Sequence, residues 1–270
     1  MKKRWIAAAL ILISCALFFV FKNTGLIPAK LAFDSKNNLA QIKETKTLDV
    51  RVFFGYKDAR PARFVADRYE KALFIKLLTS PCTVDRFDCD FAPLITDEES
   101  TVTTLIKSYD LPNGIRKQIT VRIFDSSVGA DDDENRKNPF QKWKSEFIEK
   151  EFVTAIHDAD IIFYNGHSRA GGGPDFSPPK LVANNHVDYE YYRRHQKGLT
   201  LILDTLKQNP DAKLKSLSLY SCKSDQLFRN KIARTKKDLK VSGSRQLLYF
   251  SDAMNESLGQ LSQLTQSFFM

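Results

Sequence analysis

Histidine is scarce in this chain, with four in 270 residues, and cysteine equally so, with four. No histidine lies near the cysteine pair Cys82 and Cys89 in sequence, which argues against a zinc site there. The acidic run Asp131-Asp132-Asp133 lacks the spaced ligands and turn glycine of a calcium loop, so a solvated loop is expected. No metal and no cofactor are expected. Nor is there a block of Lys and Arg interleaved with aromatics. The net charge of +9 is scattered among acids, and no nucleic-acid partner is expected. The short cluster Arg234, Lys236, Lys237 reads as a solvated helix end. Internal repeats and low-complexity tracts are absent too. With 43% apolar and 27% charged residues, the composition belongs to a globular chain with one good core.

The N-terminus sets the expected compartment. Lys2, Lys3 and Arg4 precede an uncharged apolar run from Trp5 to Phe21, which Lys22 ends. Those 17 residues are just long enough to span a bilayer. The basic residues should stay cytoplasmic and send the rest outward. The sequence after the run offers a poor cleavage site. "LISC", Leu12 to Cys15, resembles a bacterial lipobox, but the apolar run continues past Cys15. The expectation is an uncleaved inner-membrane anchor over 1–22, with lipidation at Cys15 as the alternative. Both place the body in the periplasm or outside. Residues 23–46 read as a linker and 47–270 as one α/β domain.

In that oxidising space Cys82 and Cys89, which bracket a short polar loop, read as a disulfide. Cys222 is left as a free, potentially reactive thiol.

Strand and helix patterns alternate along the domain. "TLDVRVFFGY", "RKQITVRIFDSS", "DIIFYN", "LKSLSLYSC" and the short "KVSGSR" read as strands. Pro61 opens one helical pattern, with an expected apolar face at Phe64, Val65, Tyr69, Ala72, Leu73, Lys76 and Leu77. Pro139 opens a second, "DYEYYRRHQKGLTLILDTLKQN" is a third, and "DQLFRNKIARTKKDL" and "YFSDAMNESLGQLSQLTQSFF" complete the set. "VGADDDENRKN" reads as a charged loop, and the stretch after Cys89 carries no clear pattern. Alternation of this kind predicts a mostly parallel sheet with helices on both faces.

In such sheets, ligands bind beyond the carboxyl ends of the strands. Two of the most apolar strands end in notable residues, His167 and Cys222. A parallel sheet brings both to one rim, and an imidazole beside a thiol favours the thiolate. The backbone N–H groups of Ser168 and Cys222 are candidate oxyanion donors. Gly171, Gly172 and Gly173 would let a loop approach a bound peptide closely. Asp175 and Asp225 are candidate contacts for a basic substrate side chain. His157, His186 and His195 are expected on helices or the surface.

"FYNGHS" and "SLYSCKSD" together resemble the histidine and cysteine blocks of the caspase, gingipain, legumain and separase group of cysteine peptidases, including its bacterial CHAT-type members. The resemblance implies a caspase–hemoglobinase-like three-layer fold. It also implies His167 and Cys222 as a catalytic dyad and a peptide or protein substrate. The chain departs from the group in carrying Ser168 where glycine is usual, and in the "KSD" that follows the cysteine. The alternative is a caspase-like domain without catalysis that binds a protein or cell-envelope partner.

Overall fold

The computed structural model describes residues 42, 45–57, 67–83, 86–95, 101–129, 131–248 and 251–269. All belong to one compact unit, Asn37–Met270. The expected anchor over 1–22, most of the expected linker and the helix start at Pro61 lie outside the described residues. Among the described residues no helix is long and apolar enough to cross a membrane.

Seven strands form one sheet: β1 (Thr47–Phe54), β2 (Ala92–Ile95), β3 (Val102–Asp110), β4 (Arg116–Asp125), β5 (Ile161–Asn165), β6 (Ser216–Tyr220) and β7 (Lys240–Gly243). Their order is β2-β3-β4-β1-β5-β6-β7. β4, β1, β5, β6 and β7 pair in parallel. β3 is antiparallel to both β4 and β2. β5 and β6 are buried at every position, because helices cover both faces. The described helices are α1 (Asp67–Thr79), α2 (Asp132–Lys137), α3 (Pro139–Asp158), α4 (Tyr189–His195), α5 (Lys197–Gln208), α6 (Asn230–Thr235) and α7 (Asp252–Gln266). On one face α1 and α7 pack Phe74, Leu78, Met254 and Leu261 against Val52, Phe54 and Phe163. On the other, α3, α5 and α6 pack Phe152, Ile202 and Ile232 against Phe53, Ile162 and Leu219. The expected α/β architecture with a mostly parallel sheet is therefore present.

Four local readings need correction. The stretch after Cys89 is a strand pair, β2 and β3, and β3 turns directly into β4. β2 is the edge strand and β3 lies beside it, and their partial exposure leaves little alternation in their sequence. The charged loop contains α2: the Asp131 side chain accepts from the Asp133 and Glu134 N–H groups and caps it. Asp132 is buried, held by Arg136 and the Tyr56 hydroxyl. The single helix expected over 188–209 is two, because Gln196 adopts a left-handed φ of 45° between them. Finally, α1 turns Asp67, Glu70, Lys71, Phe74 and Leu78 inward and leaves Tyr69 and Leu73 exposed. Lys71 meets Asp125 at the end of β4, Asp67 meets Ser126 and Ser127 just past it, and Glu70 meets Lys57 after β1, which compensates their burial.

Cys82 and Cys89 form a disulfide, with Cα atoms 5.1 Å apart. Their sulfurs and an Asp90 oxygen cluster within 4.8 Å, but the bonded sulfurs leave no thiolate to ligate a metal. Lys107 Nζ donates to the Phe87 carbonyl at 3.1 Å, and so does the Tyr109 hydroxyl at 2.9 Å. Phe87 stacks on Phe269 at 5.0 Å, so the cystine loop supports the end of the chain.

Candidate functional site

The chain leaves β1 toward α1 on one face and leaves β5 toward α5 on the other. The crevice between their carboxyl ends is a topological switch point, the usual ligand position in such sheets. Phe54, Asn165 and Tyr220 are register partners across β1, β5 and β6. The ladder continues one residue further: Gly55 N–H donates to Asn165 O at 2.9 Å, and Gly166 N–H to Tyr220 O at 3.2 Å. His167 and Cys222 each stand two residues beyond a partner of the Asn165–Tyr220 pair. They therefore occupy neighbouring strand ends, both half-buried. His157, His186 and His195 are exposed.

A tightly tied loop follows His167. The Tyr164 hydroxyl donates to His167 O at 3.1 Å and accepts from Asp175 N–H at 3.0 Å. Burial pushes this phenol up, so it stays a donor. Arg169 is buried and pairs with Asp175 at 2.9 Å, and Tyr56 N–H donates to Asp175 O at 3.0 Å. The loop thus closes over the β1–β5 crevice. Arg169 and Ala170 are left-handed, with φ of 45° and 50°. The glycine run serves close packing rather than an open loop: Gly173 has φ of 96°, and a Cβ there would lie 2.2 Å from Leu199 N. Ser168 is buried, and its carbonyl accepts from the Gly171 and Gly173 N–H groups. Among the described residues, neither Ser168 N–H nor Cys222 N–H donates a backbone bond.

Cys222 opens a turn in which Lys223 is left-handed, with φ of 54°. A strap, Ser244 to Leu248, runs antiparallel along this turn. Lys223 N–H donates to Gln246 O at 2.9 Å, and Asp225 N–H to Ser244 O at 3.0 Å. Ser244 N–H donates to Ser224 Oγ at 2.9 Å, and Cys222 Sγ to Leu248 O at 3.6 Å. Asp225 is ion-paired with Arg229 at 3.1 Å and Arg245 at 3.2 Å. Both acids singled out in the sequence, Asp175 and Asp225, thus already hold cations of this chain.

Beneath the rim, toward α7, lies a polar layer. Ser257 Oγ donates to Asn165 Oδ1 at 2.7 Å, and Ser218 Oγ to Gln260 Oε1 at 2.8 Å. Asn165 Nδ2 and Ser221 Oγ are buried and find no partner among the described residues. These orphaned donors flank the two strand ends that carry His167 and Cys222.

A second feature escaped the sequence reading, a buried charge network one strand away. Asp125, the last residue of β4, accepts from Lys71 Nζ at 2.7 Å and Lys144 Nζ at 2.5 Å. Asp67 accepts from the Ser126 and Ser127 N–H groups at 2.6 and 2.8 Å, and from the Ser127 hydroxyl. Burial, and then the nearby Asp125 charge, push Asp67 up. Burial pulls Lys71 down. Glu70 pairs with Lys57, yet burial pushes its carboxyl up to about 7. The available signal was the Asp-Ser-Ser that ends β4 together with charges three and four residues apart on α1.

No protein-family model matches the chain, and no curated protein does.

Proposed function

We propose that this chain is an exported, membrane-anchored cysteine endopeptidase of caspase–hemoglobinase-like fold, with His167 and Cys222 as its dyad. The observation that carries the reading is the register of Asn165 with Tyr220. By that pairing His167 and Cys222, the free thiol among the described residues, each follow the end of one of two adjacent parallel strands. His167 borders the β1–β5 switch point, and Cys222 follows β6, the next strand along.

In the proposed reaction, His167 takes the Cys222 proton and the thiolate attacks the scissile carbonyl carbon. In this reading the Ser168 and Cys222 N–H groups serve as donors to the developing oxyanion. The C–N bond then breaks, and the imidazolium gives its proton to the leaving amine. Water hydrolyses the thioester and restores the thiol. Because Cys222 Sγ is engaged with Leu248 O, the strap has to shift before a substrate carbonyl reaches the sulfur.

The same strap favours the second reading, a non-catalytic domain that binds a protein or envelope partner. Cleavage of a fluorogenic peptide library by the full chain separates the two. Turnover that disappears in Cys222→Ala and in His167→Ala, with both variants folded, supports the peptidase. A native thiol inert to a peptidyl acyloxymethyl ketone, and no turnover across the library, leaves the binding reading.

A further inference from the structure

Helix α3 turns Ile148, Phe152 and Ile156 inward. Beside that face, Phe140 and Trp143 stand 68% and 56% exposed. Trp143 stacks on the half-buried Phe147 at a centroid distance of 5.5 Å. Residues 140, 143 and 147 follow helical spacing and form one stripe. A single exposed aromatic needs no explanation, but an aromatic stripe marks a contact surface. Charges beside it are mixed: Lys142 lies 3.9 Å from Glu146. An acidic or basic partner is therefore not what the stripe fits. It lies level with the rim, since Gln141 Nε2 donates to Ser126 O at 2.8 Å and Lys144 reaches Asp125.

We propose that this stripe is a lipid contact: Phe140 and Trp143 enter the headgroup region of the membrane to which the apolar run 5–21, read as an anchor, would tie the chain. The inference rests on the anchor reading of the N-terminus and is independent of the peptidase reading. Tryptophan and phenylalanine fit that region because the indole keeps its N–H hydrated while its rings leave water. The tether permits the contact. Ile42 is packed in the core, so the tether is residues 23–41, which number 19 and reach at most about 65 Å. A ten-residue strand such as β4 spans only about 34 Å. The tether's reach therefore exceeds the distance from Ile42, held by Lys117 near the start of β4, to the level of the stripe at the carboxyl end of β4.

The test uses the full chain in phosphatidylcholine vesicles. The protein has two tryptophans, Trp5 and Trp143, so Trp5→Phe makes Trp143 the sole reporter. Flotation reads the anchor, and quenching by brominated phosphatidylcholine reads the stripe. The expected result is a floating chain whose Trp143 emission is blue-shifted and quenched about twofold. Adding Phe140→Ser and Phe147→Ser should abolish the quenching while the chain still floats. A floating chain with unquenched Trp143 overturns the lipid contact alone. A chain that neither floats nor is quenched overturns the anchor as well. A blue shift that depends on protein concentration, without quenching, assigns the stripe to a second copy and overturns the proposal.

Discussion

The Cys222 sulfur lies 3.6 Å from the carbonyl oxygen of Leu248, so the thiol of the proposed dyad donates to the strap beside it. The strap follows Gly243, where a Cβ would meet Asp225 N and Ser224 Oγ at 2.8 Å. Gly243→Ala should push the strap off the turn, at a cost of roughly 1–3 kcal/mol for the overpacking. Iodoacetamide should then alkylate Cys222 faster than in the wild-type protein. Adding His167→Ala should slow that reaction roughly tenfold at pH 7, because an unassisted thiol is mostly protonated there. Equal rates with and without His167 would remove the dyad.

The Cys82–Cys89 bridge closes a short loop against which Phe269 stacks. By chain entropy, an eight-residue loop of this kind contributes about 2.5 kcal/mol. Cys82→Ala with Cys89→Ala should lower the urea midpoint accordingly, with the m-value little changed. Mass spectrometry of the unreduced wild type should find these two cysteines blocked and Cys222 free.

Glu70 links stability to pH. Its folded carboxyl sits at about 7 against 4.5 for the free group, so between these values the folded state holds a proton that the unfolded state releases. Stability is then complete below about pH 4.5 and is lost as pH rises through 7, by roughly 3 kcal/mol for such a shift. Asp67, also pushed up, acts in the same direction. Glu70→Gln should flatten this part of the profile. Urea melts from pH 4.5 to 8 measure it, and a wild-type stability that climbs across that range would refute the assignment.

Arg169 and Asp175 form a pair in which the guanidinium side chain is only 2% exposed. Arg169→Ala leaves Asp175 without that partner and should cost about 3–5 kcal/mol. Loss of the loop that follows His167 should accompany it, read as faster amide exchange at Gly171 and Gly173, whose N–H groups now bond to Ser168 O. Unchanged stability would mean that water replaces the pair at no cost.

The sequence by itself determined the alternation of elements. β1, β4, β5, β6 and the helices α3, α5 and α7 carry apolar periods strong enough to read without a neighbour, and Pro139 marks a helix start through its own geometry. The isolation of Cys222 and the proximity of Cys82 to Cys89 were equally legible, because they depend on counting and spacing. Tertiary structure decided the rest. The inward face of α1 is charged because Asp125 at the end of β4 and Ser127 just past it supply its partners, more than fifty residues away, and no local period encodes that compensation. The edge strand β2 and its neighbour β3 are only partly covered, so burial imposes little pattern on them. Above all, the neighbourhood of His167 and Cys222 follows from Asn165 pairing with Tyr220. The strap over the thiol follows from the strand order β5-β6-β7. Both are long-range backbone pairings, which any residue can make and which therefore leave almost no trace in residue type.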